Sequence, residues 1–492
     1  MKHILAIDQG TTGSRAVVYD KKGKVIASSY QEFKQYFPKP GWVEHNPKEI
    51  WQSVNGAIQN VLKKVSAHSI EAIGITNQRE TTIIWDKDTG TPIHNAIVWQ
   101  CRRTAGRCNK LKGLKGETEF FRKRTGLPID AYFSATKIEW LLKNIPGALS
   151  KAKKGKLLFG TTDAWVLWKL TGGKVHATDY TNASRTMLFN IDSLQWDEDI
   201  LRKFNIPKVI LPQVENSSGV FGKTVKIGKL SAGISITGIA GDQQAALFGQ
   251  ACFEPGTIKN TYGTGCFVLC NTGRKRISSR YGLITTLGCG PKGEPVYVLE
   301  GAIFIAGAAV QWIRDGLKII KNASDSQIMA LSVEDNAGVY FVPALVGLGA
   351  PYWNPDARGA IFGLTRGTTR EHLVRACLEA MCYQTKDVLD AIRKDSRLTI
   401  KDLRVDGGAV ANNFLCQFQA DILGINVIRP KVFETTSLGA AYLAGLAVGY
   451  WKDTDEIKKC WKREKTFYPK MAKKQSATLY KGWLKAVERT LS

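Results

Sequence analysis

The sequence predicts an α/β fold in two domains, and three observations carry that reading. The chain has 492 residues, more than one hydrophobic core usually serves, so two domains are expected, each burying its own interior. Short apolar runs alternate with glycine turns and amphipathic stretches, which is how strands and helices alternate in an α/β sheet. A strand, a Gly-Thr turn and a second strand occur near residues 8–18 and again near 257–270. That repeat reads as an internal duplication with a boundary near residue 250, giving domains 1–250 and 251–492.

The elements follow in order. Residues 4–7, 14–19 and 25–29 form three short extended runs separated by turns at Gly10 to Gly13 and at Lys22-Gly23. Asn46-Pro47-Lys48-Glu49 then supplies a cap, a proline at the first helical position and an acidic residue three after the cap. Ile50, Trp51, Val54, Ile58, Val61 and Val65 continue the pattern as an amphipathic helix. Strands return at 72–76 and 81–85, which suits a mixed sheet. In the second block a strand at 234–239 runs into Gly241-Asp242-Gln243-Gln244 and an alanine-rich helix. Strands at 257–260 and 266–270 flank Gly263-Thr264-Gly265. Residues 403–405 lead into Asp406-Gly407-Gly408 and a helix over 412–423. The uncharged stretch 435–451 is broken by Gly439, Gly445 and Gly449 and reads as a packed core helix. The Lys-rich end beyond 452 reads as helical.

Composition narrows the function classes. With 44% apolar and 23% charged residues and 47 glycines without a short period, the chain is neither fibrous nor low-complexity. A formal net charge of +26 points to an anionic substrate, a nucleic acid or a lysine-rich background, and does not choose among them. The ten cysteines include no C-x-x-C pair and no nearby histidine, so reduced, mostly buried thiols are expected. No stretch has the apolar length of a membrane span or a signal-peptide core, and a cytoplasmic location is expected. His45, His94 and the other four histidines lack ligand spacing and read as structural or surface residues. The basic, aromatic-interleaved tail at 458–474 reads as a solvated face, and no nucleic-acid partner is expected.

The glycine turns are where chemistry is expected. Gly10-Thr11-Thr12-Gly13-Ser14 lets backbone approach a ligand closely, offers N–H groups and hydroxyls to phosphate oxygens, and is followed by the guanidinium of Arg15. Asp8, just before it, suits Mg²⁺. The turn is neither a Walker A loop nor a dinucleotide fingerprint, because no G-K-[ST] follows and a strand follows in place of a helix. Adjacent Arg79-Glu80 sit just after a strand, where α/β sheets place ligands, and Asp242 suits either a helix cap or a catalytic role.

Nine segments together resemble the FGGY carbohydrate kinases over essentially the whole chain. Among them are IDQGTTGSRAVV at 7–18, PKPGWVEHNP at 38–47, GITNQRETTIIWD at 74–86, DYTNASRTMLFN at 179–190, GIAGDQQAALFGQ at 238–250, NTYGTGCF at 260–267 and LRVDGGAVANNFLCQFQADILG at 403–424. The resemblance implies the actin-like ATPase superfold, two RNase H-like domains flanking a nucleotide and substrate cleft. It implies transfer of phosphate from ATP to glycerol with Mg²⁺, and no insertion into a membrane. A homodimer or homotetramer is expected.

Carried over by position, the resemblance assigns Arg79, Glu80, Tyr132, Asp242 and Gln243 to the polyol hydroxyls and Trp99 and Phe267 to its carbon chain. Thr11, Thr12, Gly13, Arg15, Thr264, Gly307, Gln311, Gly408 and Asn412 are assigned to the nucleotide, and Asp8 and Asp242 to the metal. Asp242 is the implied catalytic base. Gly13 departs from the serine that close relatives often carry, leaving one hydroxyl fewer. The alternatives are another small polyol or sugar as acceptor, or an actin-like ATPase without a metabolic substrate. The N-Q-R-E segment and Trp99 favour the small triol.

Overall fold

The computed structural model describes residues 1–492 and divides into two compact units. The first comprises Met1–Phe253, Thr285–Tyr297 and Thr435–Trp461, and the second Glu254–Ile284, Val298–Glu434 and Lys462–Ser492.

The first unit is built on a six-stranded sheet. Strand β1 (His3–Gln9) pairs antiparallel with β2 (Gly13–Tyr19), and β2 with β3 (Val25–Glu32). Helix α1 (Pro47–Val61) follows, capped by Asn46, whose side chain accepts from Lys48 N. Glu49 does not complete a capping box; it accepts instead from the Tyr36 hydroxyl at 2.5 Å. Strand β4 (Ile70–Asn77) is parallel to β1. Strands β5 (Ser218–Lys223) and β6 (Ser235–Gly241) complete the order β5-β6-β4-β1-β2-β3, with β6 parallel to β4 and β5 antiparallel to β6. Ile4, Leu5, Ala6 and Ile7 are fully buried, as befits a central strand covered on both faces. Helix α2 (Asp242–Gly249) leaves the end of β6 directly.

The run expected to add a strand at 81–85 is displaced. Ile83–Asp86 pairs antiparallel with Leu157–Gly160 outside the main sheet. The cause is the turn after β4: Thr81 N bonds Arg79 O at 2.7 Å, and Glu80 takes a left-handed φ of 59° that turns the chain out of the sheet.

The second unit repeats the order of the first. Strand β7 (Ile258–Tyr262) pairs antiparallel with β8 (Cys266–Gly273), and β9 (Pro295–Ile303) lies beyond β8. Strand β10 (Asp402–Asp406) is parallel to β7, β11 (Asn426–Pro430) is parallel to β10, and β12 (Arg463–Phe467) is antiparallel to β11. Six of the seven strands of this sheet, in the order β9-β8-β7-β10-β11-β12, match β3-β2-β1-β4-β6-β5, which is the duplication read from the two Gly-Thr turns. Strand β12 corrects the all-helical reading of the tail: Phe467 is buried and faces Val427, so a short alternating segment closes the sheet edge before the helix Lys473–Leu491. All ten cysteines are free thiols, nine of them buried.

The stretch read as a packed core helix is the helix Thr435–Ala447, part of the first unit. It crosses α2 with backbone against backbone. A Cβ on Gly439 would fall inside the radius of the Ala245 carbonyl oxygen, and one on Gly249 inside that of Thr435. Because α2 starts at Asp242, this crossing sets where that carboxylate lies. Gly439→Val is expected to destabilise by at least about 3 kcal/mol, since overpacked backbone has no rotamer through which to yield. Thermal or urea unfolding checks it, and an unchanged midpoint would show that the crossing does not hold α2 in place.

Candidate active site

In the first unit the expected residues gather at the C-terminal ends of the parallel strands β1, β4 and β6, where open α/β sheets bind ligands. After β1, Gly10 N bonds Gly13 O at 2.9 Å and closes the turn that presents Thr11 and Thr12. Gly13 has a steric reason: a Cβ there would lie 2.5 Å from the Tyr30 hydroxyl, which instead hydrogen-bonds Thr12 Oγ1 at 3.1 Å. The Tyr30 ring also lies under the Arg15 guanidinium, 5.5 Å from its centroid. Asp8 is the cross-strand partner of Arg15 in the β1–β2 pair.

The turn after β4 brings together most of the residues that the resemblance assigns to the polyol. Arg79 is buried; its Nε lies 3.3 Å from Asp242 Oδ1 and 3.8 Å from Glu80 Oε1. Its Nη1 donates to Gln244 Oε1 at 3.2 Å and its Nη2 to the Tyr132 hydroxyl at 3.4 Å. Trp99 packs edge-on to Tyr132, ring centroids 5.7 Å apart, so an aromatic wall stands beside the charged groups. Asp242 is the first residue of α2, with Gly241 as the cap; its Oδ1 accepts from Gln243 N at 2.7 Å. Its side chain stays 31% exposed, against 2% and 1% for Arg79 and Glu80. Among these three charged groups, the carboxylate of Asp242 is therefore the one open to an incoming ligand.

Two buried cations that the sequence reading did not single out hold Glu80. Arg185 Nε bonds Glu80 Oε1 at 2.6 Å, and the Arg185 guanidinium lies against the rings of Tyr132 and Phe133. Lys137 Nζ donates to the carbonyls of Tyr132 at 2.6 Å and Glu80 at 3.3 Å. Burial pushes the Lys137 ammonium down to about 8, with Glu80 acting the other way. The Glu80 carbonyl also accepts from Ser134 Oγ and Thr82 Oγ1, both at 3.1 Å. A left-handed non-glycine residue costs on the order of 1–2 kcal/mol, and these bonds hold the backbone there. Arg185 lies within the quoted segment DYTNASRTMLFN, and its place in that segment, not the residues around it, was the available signal.

A fully buried polar network ties the strand ends together. Asn77, at the end of β4, exchanges two amide hydrogen bonds of 3.0 Å with Asn182. Asp179 accepts from Thr181 Oγ1, Ser217 Oγ and Asn182 N at 2.7–3.0 Å, and Thr181 Oγ1 accepts from Gly241 N at 2.8 Å. Asp163 accepts from Thr161 and Thr178. Burial raises both carboxyls, Asp163 to about 6, and the hydroxyl donors work against that shift. The network bonds Gly241, immediately before Asp242, and Asn77, two residues before Arg79.

The second unit presents the same geometry at the ends of β7 and β10. The Thr264 carbonyl accepts from Ala306 N and Ala308 N at 2.9 and 3.1 Å, and Gly307 N bonds Gly263 O at 3.0 Å, so Thr264 and Gly307 adjoin. Gln311 ends the short helix Gly307–Gln311. After β10, Gly407 has a φ of 90° that glycine accommodates, and Gly408 has open space where a Cβ would be. Asn412 caps the helix Asn413–Leu423 and donates through Nδ2 to Ser326 Oγ at 3.3 Å. Phe267 lies on β8 and is half-buried.

These two repeated sheets with glycine turns at corresponding strand ends match known proteins. Residues 3–249 match the N-terminal domain model of the FGGY family of carbohydrate kinases, and residues 258–448 match its C-terminal domain model. The chain belongs to the FGGY family of carbohydrate kinases. This FGGY kinase is 60% identical to "Glycerol kinase 2" of Thermotoga maritima, over 100% of this chain and 99% of that one. It is 59% identical to a glycerol kinase of a Geobacillus species, with the same coverage. Among solved structures, it superposes on Plasmodium falciparum glycerol kinase with ADP at a TM-score of 0.91, with 39% identity, covering 100% and 99% of the two chains. A xylulose kinase from Lactobacillus acidophilus shares the fold at a TM-score of 0.88 with 24% identity, covering 99% and 97%. No helix is long and apolar enough to cross a membrane.

Proposed function

We propose that this chain transfers the γ-phosphoryl group of ATP to a terminal hydroxyl of glycerol, giving ADP and sn-glycerol 3-phosphate. The observation that carries the reading is the convergence of Arg79, Glu80, Tyr132, Trp99 and Asp242 at the β4 and β6 ends. Its support from relatives is that full-length matches at 57–60% identity bear the name glycerol kinase. A triol needs donors and acceptors for its hydroxyls and an apolar wall for its carbons, and this set supplies both. Gln243 completes the first unit's polyol residues in this reading, and Phe267, in the second unit, keeps the role that the resemblance implies.

Phosphoryl transfer asks the protein mainly to align the nucleophile, spread the charge of the γ-phosphate and exclude water. Asp242 accepts the proton of the attacking hydroxyl, with Arg79 orienting its carboxylate. The Thr11–Thr12–Gly13 turn and Arg15 face phosphate oxygens. In the second unit, Thr264, Gly307, Gln311, Gly408 and Asn412 bind the nucleotide. Asp8 and Asp242 offer hard carboxylate oxygens that suit Mg²⁺, which takes one or two carboxylates alongside phosphates. When bound, the ion neutralises charge on the phosphates.

A coupled ADP-release assay with glycerol, glyceraldehyde, dihydroxyacetone, xylulose and gluconate side by side tests the reading. The highest kcat/KM is expected with glycerol; a clear preference for xylulose or gluconate would defeat it.

A further inference from the structure

Histidine 45 lies outside the candidate site, yet it sits at the centre of a one-directional hydrogen-bond chain that starts and ends on site residues. It is fully buried, directly opposite Gln35 in the short antiparallel pair of Gln35–Tyr36 with Glu44–His45. His45 Nε2 lies 2.6 Å from Gln35 Oε1, an atom that only accepts, so Nε2 carries the proton. His45 Nδ1 is then free to accept from Gln78 Nε2 at 3.3 Å. On one side the chain continues to Thr11, because Gln35 Nε2 donates to the Thr11 carbonyl at 3.0 Å. On the other it runs back to Trp99: Trp99 N donates to Thr81 Oγ1 at 3.3 Å, and Thr81 Oγ1 donates to Gln78 Oε1 at 3.1 Å.

Every donor therefore points the same way, from Trp99 through Thr81, Gln78, His45 and Gln35 to Thr11. A direct bond closes the ring, since Trp99 Nε1 donates to Thr11 Oγ1 at 3.0 Å. The closure has a chemical consequence. With its oxygen accepting from the indole and its carbonyl occupied by Gln35, Thr11 turns its own hydroxyl proton away from Trp99, as a donor. Chains of aligned hydrogen bonds polarise one another, so each link reinforces the orientation of the last.

We propose that His45 is a positioning residue: its single neutral tautomer sets the direction of this ring, which locks Thr11 against Trp99 as a hydrogen-bond donor to the phosphate of the nucleotide. The proposal rests on the reading of the Gly10–Ser14 turn as phosphate-facing. Burial holds the imidazole down at about 3, so it stays neutral across the working range. A protonated ring would set an Nδ1–H against the Gln78 amide and break the chain at its middle.

The variant His45→Phe keeps an aromatic ring, somewhat larger than imidazole, beside Phe33, on which His45 packs edge-on, but has neither nitrogen. It is expected to lower kcat/KM for ATP by about 10²-fold, the scale of a small misplacement of reacting groups. KM for glycerol should move no more than about threefold, because the uniform binding of the polyol is not removed. His45→Gln, with one donor and one acceptor, is expected to recover most of the loss, which a purely packing role for the imidazole would not produce. A His45→Phe enzyme within twofold of wild type in kcat/KM for ATP would overturn the proposal, as would equal losses in the Phe and Gln variants.

A second measurement needs neither activity nor a variant that folds. In ¹⁵N histidine spectra of the wild-type protein, His45 should show the Nε2–H tautomer with Nδ1 as a hydrogen-bond acceptor, unchanged between pH 5 and 8. A His45 signal that titrates in that range overturns the ring. A wild-type chain inactive with glycerol would defeat the functional reading and leave the spectra as the test of the tautomer.

Discussion

Asp242→Asn is expected to lower kcat by about 10²–10⁴-fold, the usual contribution of a general base, while KM for ATP changes little. The substitution keeps the shape of the side chain and its place at the start of α2, where Arg79 Nε lies 3.3 Å from Oδ1 and Gln243 N at 2.7 Å. What it removes is the negative charge and the ability to take a proton from the attacking hydroxyl. Loss confined to kcat is the signature of an interaction made chiefly in the transition state. Glu80→Gln supplies the contrast: in the proposed reading Glu80 serves a hydroxyl that does not react, so the variant should mainly raise KM for glycerol. Steady-state kinetics on the two variants decide the matter. A near-native kcat in Asp242→Asn would leave positioning alone to account for the rate.

The largest stability effect is expected from Arg185→Met. Arg185 and Glu80 are both excluded from water and meet at 2.6 Å, so removing the cation takes from the buried carboxylate its short partner and leaves Arg79 Nε, at 3.8 Å, to balance the charge. Breaking a buried ion pair from one side costs about 3–5 kcal/mol, a large part of the net stability of a folded domain. The urea midpoint should fall accordingly, and glycerol should stabilise the variant less than it stabilises wild type, because the Glu80 carboxylate is no longer held. Adding Glu80→Gln to Arg185→Met should restore part of the midpoint, since the buried charge is gone. Additive losses in the double variant would show that the pair is not the source of the effect.

The contrast between those two residues marks how far the chain could be read before it was folded. Asp242 was legible as the start of a helix because it stands in a strand–Gly–Asp–helix pattern, and the structure places it at the start of α2; its role as a base came through the resemblance. The Gly-Thr turns, the Asn46 cap and the duplication were legible for the same reason, since turns, caps and strand alternation depend on residues a few positions apart. Arg185 was not. It meets Glu80 from 105 positions away, and nothing local to either residue shows that an arginine among threonine, alanine and serine will be sealed from water. His45 was read as a structural or surface histidine, which matched its burial and missed its partners, because Gln35 and Gln78 reach it from two other segments, and Thr11 only through Gln35.

By itself, then, the sequence determined the α/β class, the repeat of strand, Gly-Thr turn and strand, the glycine turns and, through its resemblance, the family. These follow from short-range chemistry: backbone conformations that only glycine or proline adopts readily, and the two periods of apolar residues on strands and helices. The tertiary structure alone decided which charges are buried, which side chains support the site from behind, and that Thr435–Ala447 packs on α2 in the first unit although it lies late in the chain. It also turned residues 81–85 away from the sheet through one left-handed residue. The physical reason is that burial and long-range hydrogen bonding are properties of a place, and a place in the fold is set by segments that the local pattern of any one of them does not contain.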